Sequence, residues 1–246
     1  YDVMMPGEAN EDYAEFFRNK IRERVHDPVV AEMLVPKDHP FGSKRLPCET
    51  GYYDVFNRDD VLLVDVREAP IERITPKGIQ TSGAEYELDV IIFATGYDAG
   101  TGSLTRIDIR GEGGQTIKDK YAGGPRNYMG LQSVGFPNLF IMPGAGAGNF
   151  TRGCEPVVEW VADCIGYMRE NEFKHISATL EAEEAWTEYV AEAGANLLRT
   201  KADSWFVGAN IPGKARVLLG SPDSAPVARA KRAQVAANGY EGFLLR

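Results

Sequence analysis

The sequence predicts an α/β fold, and three observations predict it. Val90-Ile91-Ile92-Phe93 is an unbroken apolar run that enters the small-residue turn Ala94-Thr95-Gly96. Apolar residues without alternation suit a strand covered on both faces, as in a parallel sheet. Three longer segments carry apolar residues at three- and four-residue spacing, the helical signal, and between them lie short β-type runs punctuated by Pro and Gly.

Taken in order, Glu11 to Val25 reads as an amphipathic helix, with Tyr13, Phe16, Phe17, Ile21 and Val25 on one face and charges on the other. Asn10 is its candidate cap, and Asp27-Pro28 ends it because the residue before proline avoids the helical region. A short helix is expected over Val29–Leu34. Lys37 to Thr50 reads as a loop. Strands are expected at Val61–Val66, Ile71–Thr75, Gly78–Thr81 and Tyr86–Phe93, with turns at Pro76-Lys77 and Ser82-Gly83.

Ala99–Gly124 is a glycine-rich crossover containing one alternating strand, Ile107–Ile109. Tyr128–Gln132 and Leu139–Met142 are candidate strands. Glu155–Arg169 is expected to be a helix with Val157, Val158, Val161, Ile165 and Met168 inward. A second helix is expected over Leu180–Leu198, with Ala185, Trp186, Tyr189, Val190 and Leu197 inward. A third runs over Ala225–Ala237 and is closed by Asn238-Gly239.

Composition narrows the function classes. The 246 residues are 43% apolar and 26% charged, ordinary for a globular chain. A net charge of −9 argues against nucleic acid or an anionic membrane as the main partner, while leaving room for a local phosphate site. Cys48, Cys154 and Cys164 have no metal-type spacing, so no metal site and reduced, cytoplasmic thiols are expected. The apolar runs are too short for a membrane-spanning helix. Tyr1 is not an initiator methionine, and the expectation is that an N-terminal portion of the same protein is missing.

Two constellations can carry chemistry. Gly42-Ser43-Lys44-Arg45 sets a mobile point charge beside a permanently protonated planar fork on a glycine-opened loop. That arrangement suits an anion, and equally describes a solvated basic turn. Pro143-Gly144-Ala145-Gly146-Ala147-Gly148-Asn149 lies between an expected strand and a helix start, a layout that can bring backbone N–H groups to a ligand. Its glycines at 144, 146 and 148 do not form the Gly-x-Gly-x-x-Gly fingerprint, and a tight structural turn reads equally well.

Many ordered segments together resemble one family. They include Pro40-Phe41-Gly42-Ser43-Lys44-Arg45, Tyr52–Arg58, Ile71–Pro76, Glu85–Asp89, Ala94-Thr95-Gly96 and Gly135-Phe136-Pro137-Asn138-Leu139-Phe140. Ser204-Trp205, Gly208–Lys214 and Gly239–Phe243 complete the series. In this order they resemble the C-terminal portion of the Baeyer–Villiger flavin monooxygenases. The glycine fingerprints of that family, and its Phe-x-Gly-x-x-x-His-x-x-x-Trp signature, do not occur here.

The resemblance implies a partial flavoprotein with two dinucleotide-binding domains. Residues 1–43 would be a helical segment inserted in the NADPH domain, 44–100 the last strands of that domain, and 101–246 the end of a discontinuous FAD domain. It implies FAD and NADPH as cofactors, and a ketone and O2 as the small-molecule reactants. The product would be an ester or lactone, with this chain inactive alone. The position matching Arg45 is the family's active-site arginine, which steadies negatively charged reduced oxygen. The position matching Lys44 faces the 2′-phosphate of NADPH, and Trp205 lies on a loop that closes over the nicotinamide. As a lone residue, Trp205 reads equally as a packed aromatic.

Thr95, Gly96, Gly144, Gly146 and Asn149 are implied cofactor contacts, and Ala147, Gly148 and Phe150 are implied to face substrate. The bend before Asn149 is shorter than in many relatives, so the resemblance does not carry their substrate range across. Two other readings stay open: a flavin monooxygenase acting on amines or sulfides, and a non-catalytic nucleotide-binding α/β module.

Overall fold

The computed structural model describes residues 2–142 and 150–246. The chain forms two compact units, Tyr1–Gly96 and Tyr97–Arg246.

In the first unit, α1 (Glu8–Arg24) and α2 (Pro28–Leu34) pack through Ile21, Val25, Ala31 and Val35, with Tyr53 and Phe56 closing the cluster. Asp27 caps α2 by accepting from the N–H groups of Val29 and Val30, and Pro28 occupies its first turn, where no amide hydrogen is needed. The expected cap of α1 is different. Gly7 holds that position, and Asn10 lies inside the helix. The aromatic part of the α1 stripe also differs. Tyr13, Phe16 and Phe17 remain largely exposed and gather around Phe41 instead of entering a core. Arg22 joins Glu32 across the helix pair, and that hydrogen bond, followed by the one from Lys37, draws the Glu32 carboxyl down to about 2.

A three-stranded antiparallel sheet follows, in the order β1 (Ile71–Thr75), β2 (Gly78–Thr81), β3 (Glu85–Glu87). Gly78 is required at its turn: its φ is +157°, and a Cβ there would meet the Tyr86 carbonyl oxygen at 2.0 Å. One expected strand is absent and another is cut short. Val61–Val66 has no regular structure, and β3 stops at Glu87. Val90, Ile92 and Phe93 are 74%, 85% and 69% exposed and form no strand. The reason is physical. A doubly covered strand needs a ladder neighbour and two apolar layers, and the described residues provide none at this segment.

The second unit is built around α5 (Phe150–Glu170). Before it come two one-turn helices, α3 (Gly102–Thr105) and α4 (Ile117–Lys120), and an apolar cluster of Ile117, Tyr121 and Phe136. Ile107–Ile109, Tyr128–Gln132 and Leu139–Met142 are not strands. Only single bridges form nearby, Arg110 with Thr116 and Tyr128 with Gln132. The core-facing residues of α5 are Val157, Trp160, Cys164 and Met168, so the expected stripe was rotated: Val158 and Ile165 are exposed. Trp160 is the cause, since the largest side chain takes the core and α7 (Ala225–Ala237) packs on it. Its indole donates to the Arg232 carbonyl at 2.9 Å. Burial raises the Cys164 thiol to about 11, which makes it a packing residue.

The antiparallel pair β4 (Ile176–Ala178) and β5 (Phe243–Leu245) closes this core, and α6 (Leu180–Ala195) lies beside it. α6 ends three residues earlier than expected, and Ala185 is exposed, while Trp186, Tyr189, Val190 and Leu197 are half-buried. The fully buried side chain on α6 is Glu183. Its carboxylate accepts from Lys120 Nζ and from the Val134 N–H, each at 2.8 Å, and lies 3.6 Å from Arg126. Lys120 is itself only 11% exposed.

Removing one member of a buried ion pair leaves the other charge without compensation. Glu183→Gln is therefore expected to lower unfolding stability by about 3–5 kcal/mol. The double replacement Glu183→Leu with Lys120→Met should recover most of it. Denaturant unfolding followed by circular dichroism checks both, and a neutral Glu183→Gln would refute the assignment.

Candidate functional site

The cation loop is built from buried anchors. Asn10, 4% exposed, donates through Nδ2 to the carbonyl oxygens of Val3 at 2.6 Å and Phe41 at 2.9 Å. Ser43, fully buried, donates its hydroxyl to the Pro40 carbonyl at 2.6 Å. Gly42 has φ +75°, and Met4 occupies the space a Cβ would take. Phe41 stacks on Phe17 at 5.0 Å between ring centroids. With Ser43 turned inward, Lys44 is half-buried and Arg45 is exposed.

Lys44 Nζ lies 3.8 Å from Asp38, and Arg67 approaches the same carboxylate oxygen at 4.0 Å. Arg67 was not singled out by sequence. Its position next to an acidic stretch carried no signal, and only the shared Asp38 brings it to the loop. His39 donates to Asp38 at 2.6 Å. That hydrogen bond, against an opposing effect of burial, and then the Lys44 charge hold the Asp38 carboxyl below its usual range. A phosphate entering here would find a point charge, a planar fork and one carboxylate already engaged by a histidine.

Thr95 and Gly96 are exposed. Gly96 has φ +81°, with no atom within 4 Å of where a Cβ would stand. The backbone is thus open to close approach by a flat ligand. Gly144, Gly146, Ala147, Gly148 and Asn149 fall outside the described residues.

In the second unit, Trp205 begins a helical turn, Trp205–Val207, capped by buried Ser204, which accepts from the Phe206 N–H. The Trp205 and Phe206 rings stack at 3.9 Å. The segment that follows is tied down. Asn210 donates to the Tyr97 carbonyl at 2.9 Å, and Lys214 pairs with Asp98 and donates to the Ala99 carbonyl. Asn210 and Lys214 therefore have a structural task, holding the stretch that follows Gly96.

Phe150 opens α5 and lines a cavity of about 1540 Å³. The cavity extends from Met142 and Phe150 to α7 and includes Val207 from the tryptophan turn. Pro156 lies inside α5, one turn later than a helix starting at Glu155 would put it. As a proline it has no amide hydrogen to give to the helix ladder. Of the implied site residues, Lys44, Arg45, Thr95 and Gly96 belong to the first unit, and Phe150 and Trp205 to the second.

No family model matches the chain. It is 47% identical over 99% of its length to a 2-oxo-Δ3-4,5,5-trimethylcyclopentenylacetyl-CoA monooxygenase of Pseudomonas putida, of which it covers 46%. It is 41% identical over 99% of its length to an acetone monooxygenase of Gordonia sp. (strain TY-5), of which it covers 47%. A crystal structure of OTEMO in complex with FAD and NADP matches the whole chain at 47% identity with a TM-score of 0.90, and the chain covers 46% of it. The chain spans about half the length of the curated relatives it matches. Homologues at 40–47% identity are Baeyer–Villiger monooxygenases, and the match is to the C-terminal part of their structures. No helix among the described residues is long and apolar enough to cross a membrane.

If Asn10 sets the cation loop, Asn10→Ala should cost about 1–3 kcal/mol by leaving two part-buried carbonyl oxygens without its donor. Amide hydrogen exchange should accelerate at Phe41, Ser43 and Lys44 while α5 is unaffected. Unchanged exchange in the loop would show that it is held by other means.

Proposed function

We propose that this chain is the C-terminal part of a flavin- and NADPH-dependent Baeyer–Villiger monooxygenase. The whole enzyme would convert a ketone, O2, NADPH and a proton into an ester or lactone, NADP+ and water. The observation that carries the reading is the anchored Lys44-Arg45 loop, in a chain whose full length is similar to such enzymes. Residues 1–43 would belong to a helical insertion, 44–100 to the NADPH domain and 101–246 to the FAD domain. The exposed run Val90–Phe93 would become an interior strand, its neighbours supplied by the remainder of the longer protein.

Bound flavin supplies the activation of O2. The residues of this chain have simpler tasks. Arg45 holds negative charge on reduced oxygen with a guanidinium that stays protonated at every working pH. Lys44, with Arg67 beside it, takes the 2′-phosphate of NADPH and separates it from NADH. Thr95 and Gly96 allow close approach of the flat cofactor ring. Trp205 covers the nicotinamide side and excludes water, its turn held by Ser204 and by the Asn210 and Lys214 ties. Gly144, Gly146 and Asn149 would complete the cofactor wall, with Ala147, Gly148 and Phe150 toward the ketone. Similar proteins range by name from an acetone monooxygenase to one acting on a coenzyme A thioester. The size of the ketone is therefore a matter for this chain's own cavity.

In the longer protein, Arg45→Ala should lower the turnover of ketone by about 10²–10³-fold while NADPH still reduces the flavin. Stopped-flow absorbance and product chromatography check this, and normal ester formation would refute the role. Lys44→Ala should raise KM for NADPH by roughly one to two orders of magnitude and leave that for NADH nearly unchanged. Equal effects on the two would remove the phosphate contact.

A further inference from the structure

The chain from Phe206 to Leu219 leaves the tryptophan turn and comes back to it. At the return, the Leu219 N–H donates to the Phe206 carbonyl at 2.9 Å. Between these ends the segment is fastened to Tyr97–Gly102, the first residues of the same unit. Asn210 donates to the Tyr97 carbonyl at 2.9 Å. Lys214 Nζ pairs with the Asp98 carboxylate, and the same ammonium donates to the Ala99 carbonyl at 2.9 Å. Lys214 and Asp98 lie 116 positions apart in sequence.

This pair differs from the surface ion pairs of the same unit. Arg110 with Asp108, and Arg216 with Asp203, keep their side chains more than half exposed, a class that adds little to stability. Lys214 and Asp98 are only 15% and 23% exposed. The Lys214 ammonium has two acceptors, one charged and one a backbone carbonyl. Glycines make room for both partners. A Cβ at Gly102 would meet Asp98 Cγ at 2.4 Å, and one at Gly208 would press on the Lys214 stem at 3.3 Å. Removing either charge leaves the other partly desolvated and unpaired. The contact then passes to the indole in two steps. The Leu219 hydrogen bond closes the segment on Phe206, and the Phe206 ring carries the Trp205 ring at 3.9 Å.

We propose that Lys214 and Asp98 are positioning residues for Trp205. Resting on the function proposed above, their task is to hold the turn where the indole covers the nicotinamide half of the coenzyme. They act through the turn and touch neither coenzyme nor ketone. The nicotinamide is common to NADPH and NADH, so the pair serves both coenzymes alike, whereas Lys44 serves only the 2′-phosphate. A loosened turn admits water. Reducing equivalents are then lost from the ketone reaction: NADPH, a proton and O2 give NADP+ and hydrogen peroxide, with no ester formed.

Two variants of the longer protein test this by different routes. Lys214→Met keeps the aliphatic stem and removes the charge. Gly102→Ala keeps both charges and displaces Asp98. Circular dichroism verifies that each folds, and Arg110→Gln, at an exposed pair, serves as the control. Without coenzyme, amide hydrogen exchange should quicken at Val207, Gly208, Ala209 and Ile211 and stay unchanged in α5. Each variant should raise KM for NADPH and for NADH by the same factor, about tenfold. The hydrogen peroxide formed per NADPH oxidised should rise, while flavin reduction at saturating NADPH keeps its rate. Adding Asp98→Asn to Lys214→Met should change nothing further, since the two act as one pair. Unchanged exchange at the turn overturns the proposal. So do unchanged KM values with lowered stability, which would make the pair a folding tie alone, and a rise confined to NADPH, which would put Lys214 at the phosphate. The two readings fail separately. If the unsubstituted protein oxygenates a ketone and both variants match it, only this proposal falls. If the unsubstituted protein binds neither coenzyme, the function proposed above falls, and this proposal with it.

Discussion

The second unit depends on the carboxylate of Glu183. It is a charge with no solvent exposure, on a helix whose other inward residues are only half-buried. Such a group is tolerated only when its partners are in place before it is desolvated. Lys120 at the end of α4, the Val134 amide and Arg126 meet that condition, and they come from three points of a segment with little regular structure. One buried acceptor therefore organises 117–134 against α6. It also positions part of the cavity wall, because Lys120 and Arg126 are among the residues that line it.

A similar logic holds the cation loop in the first unit. Arg45 and Lys44 need no elaborate scaffold of their own. Asn10 and Ser43 satisfy the carbonyl groups of the turn from the buried side, and Gly42 supplies the left-handed bend. Lys44 is then left half-buried beside Asp38 and Arg45 exposed. The Trp160 indole in the second unit likewise holds a backbone group, the Arg232 carbonyl of α7.

The difference between the apolar runs is instructive. Val157, Trp160, Cys164 and Met168 found their core within this chain, because α7 and the β4–β5 pair are close by in sequence and fold onto α5. Val90, Ile92 and Phe93 did not. Helices satisfy their backbone groups internally, so α1, α5, α6 and α7 form wherever the pattern appears. A strand satisfies its backbone only through neighbours. That contrast explains why the hairpin strands β1 and β2 arose as read, whereas Val61–Val66 and Leu139–Met142 did not.

The sequence by itself determined the helical segments, the β1–β2 hairpin, the acidic balance of the chain and the adjacency of Lys44 and Arg45. These are local matters of spacing, turn chemistry and composition. The ordered motifs pointed as well to the family in which its homologues lie. Tertiary structure alone decided which face of α5 is buried, that Glu183 is a core residue, that Asp38 gathers Lys44 and Arg67, and that Lys214 reaches Asp98. The physical reason is separation along the chain. Glu183 and Lys120 are 63 positions apart, and no periodicity encodes a charge pair that forms only when folding removes both groups from water.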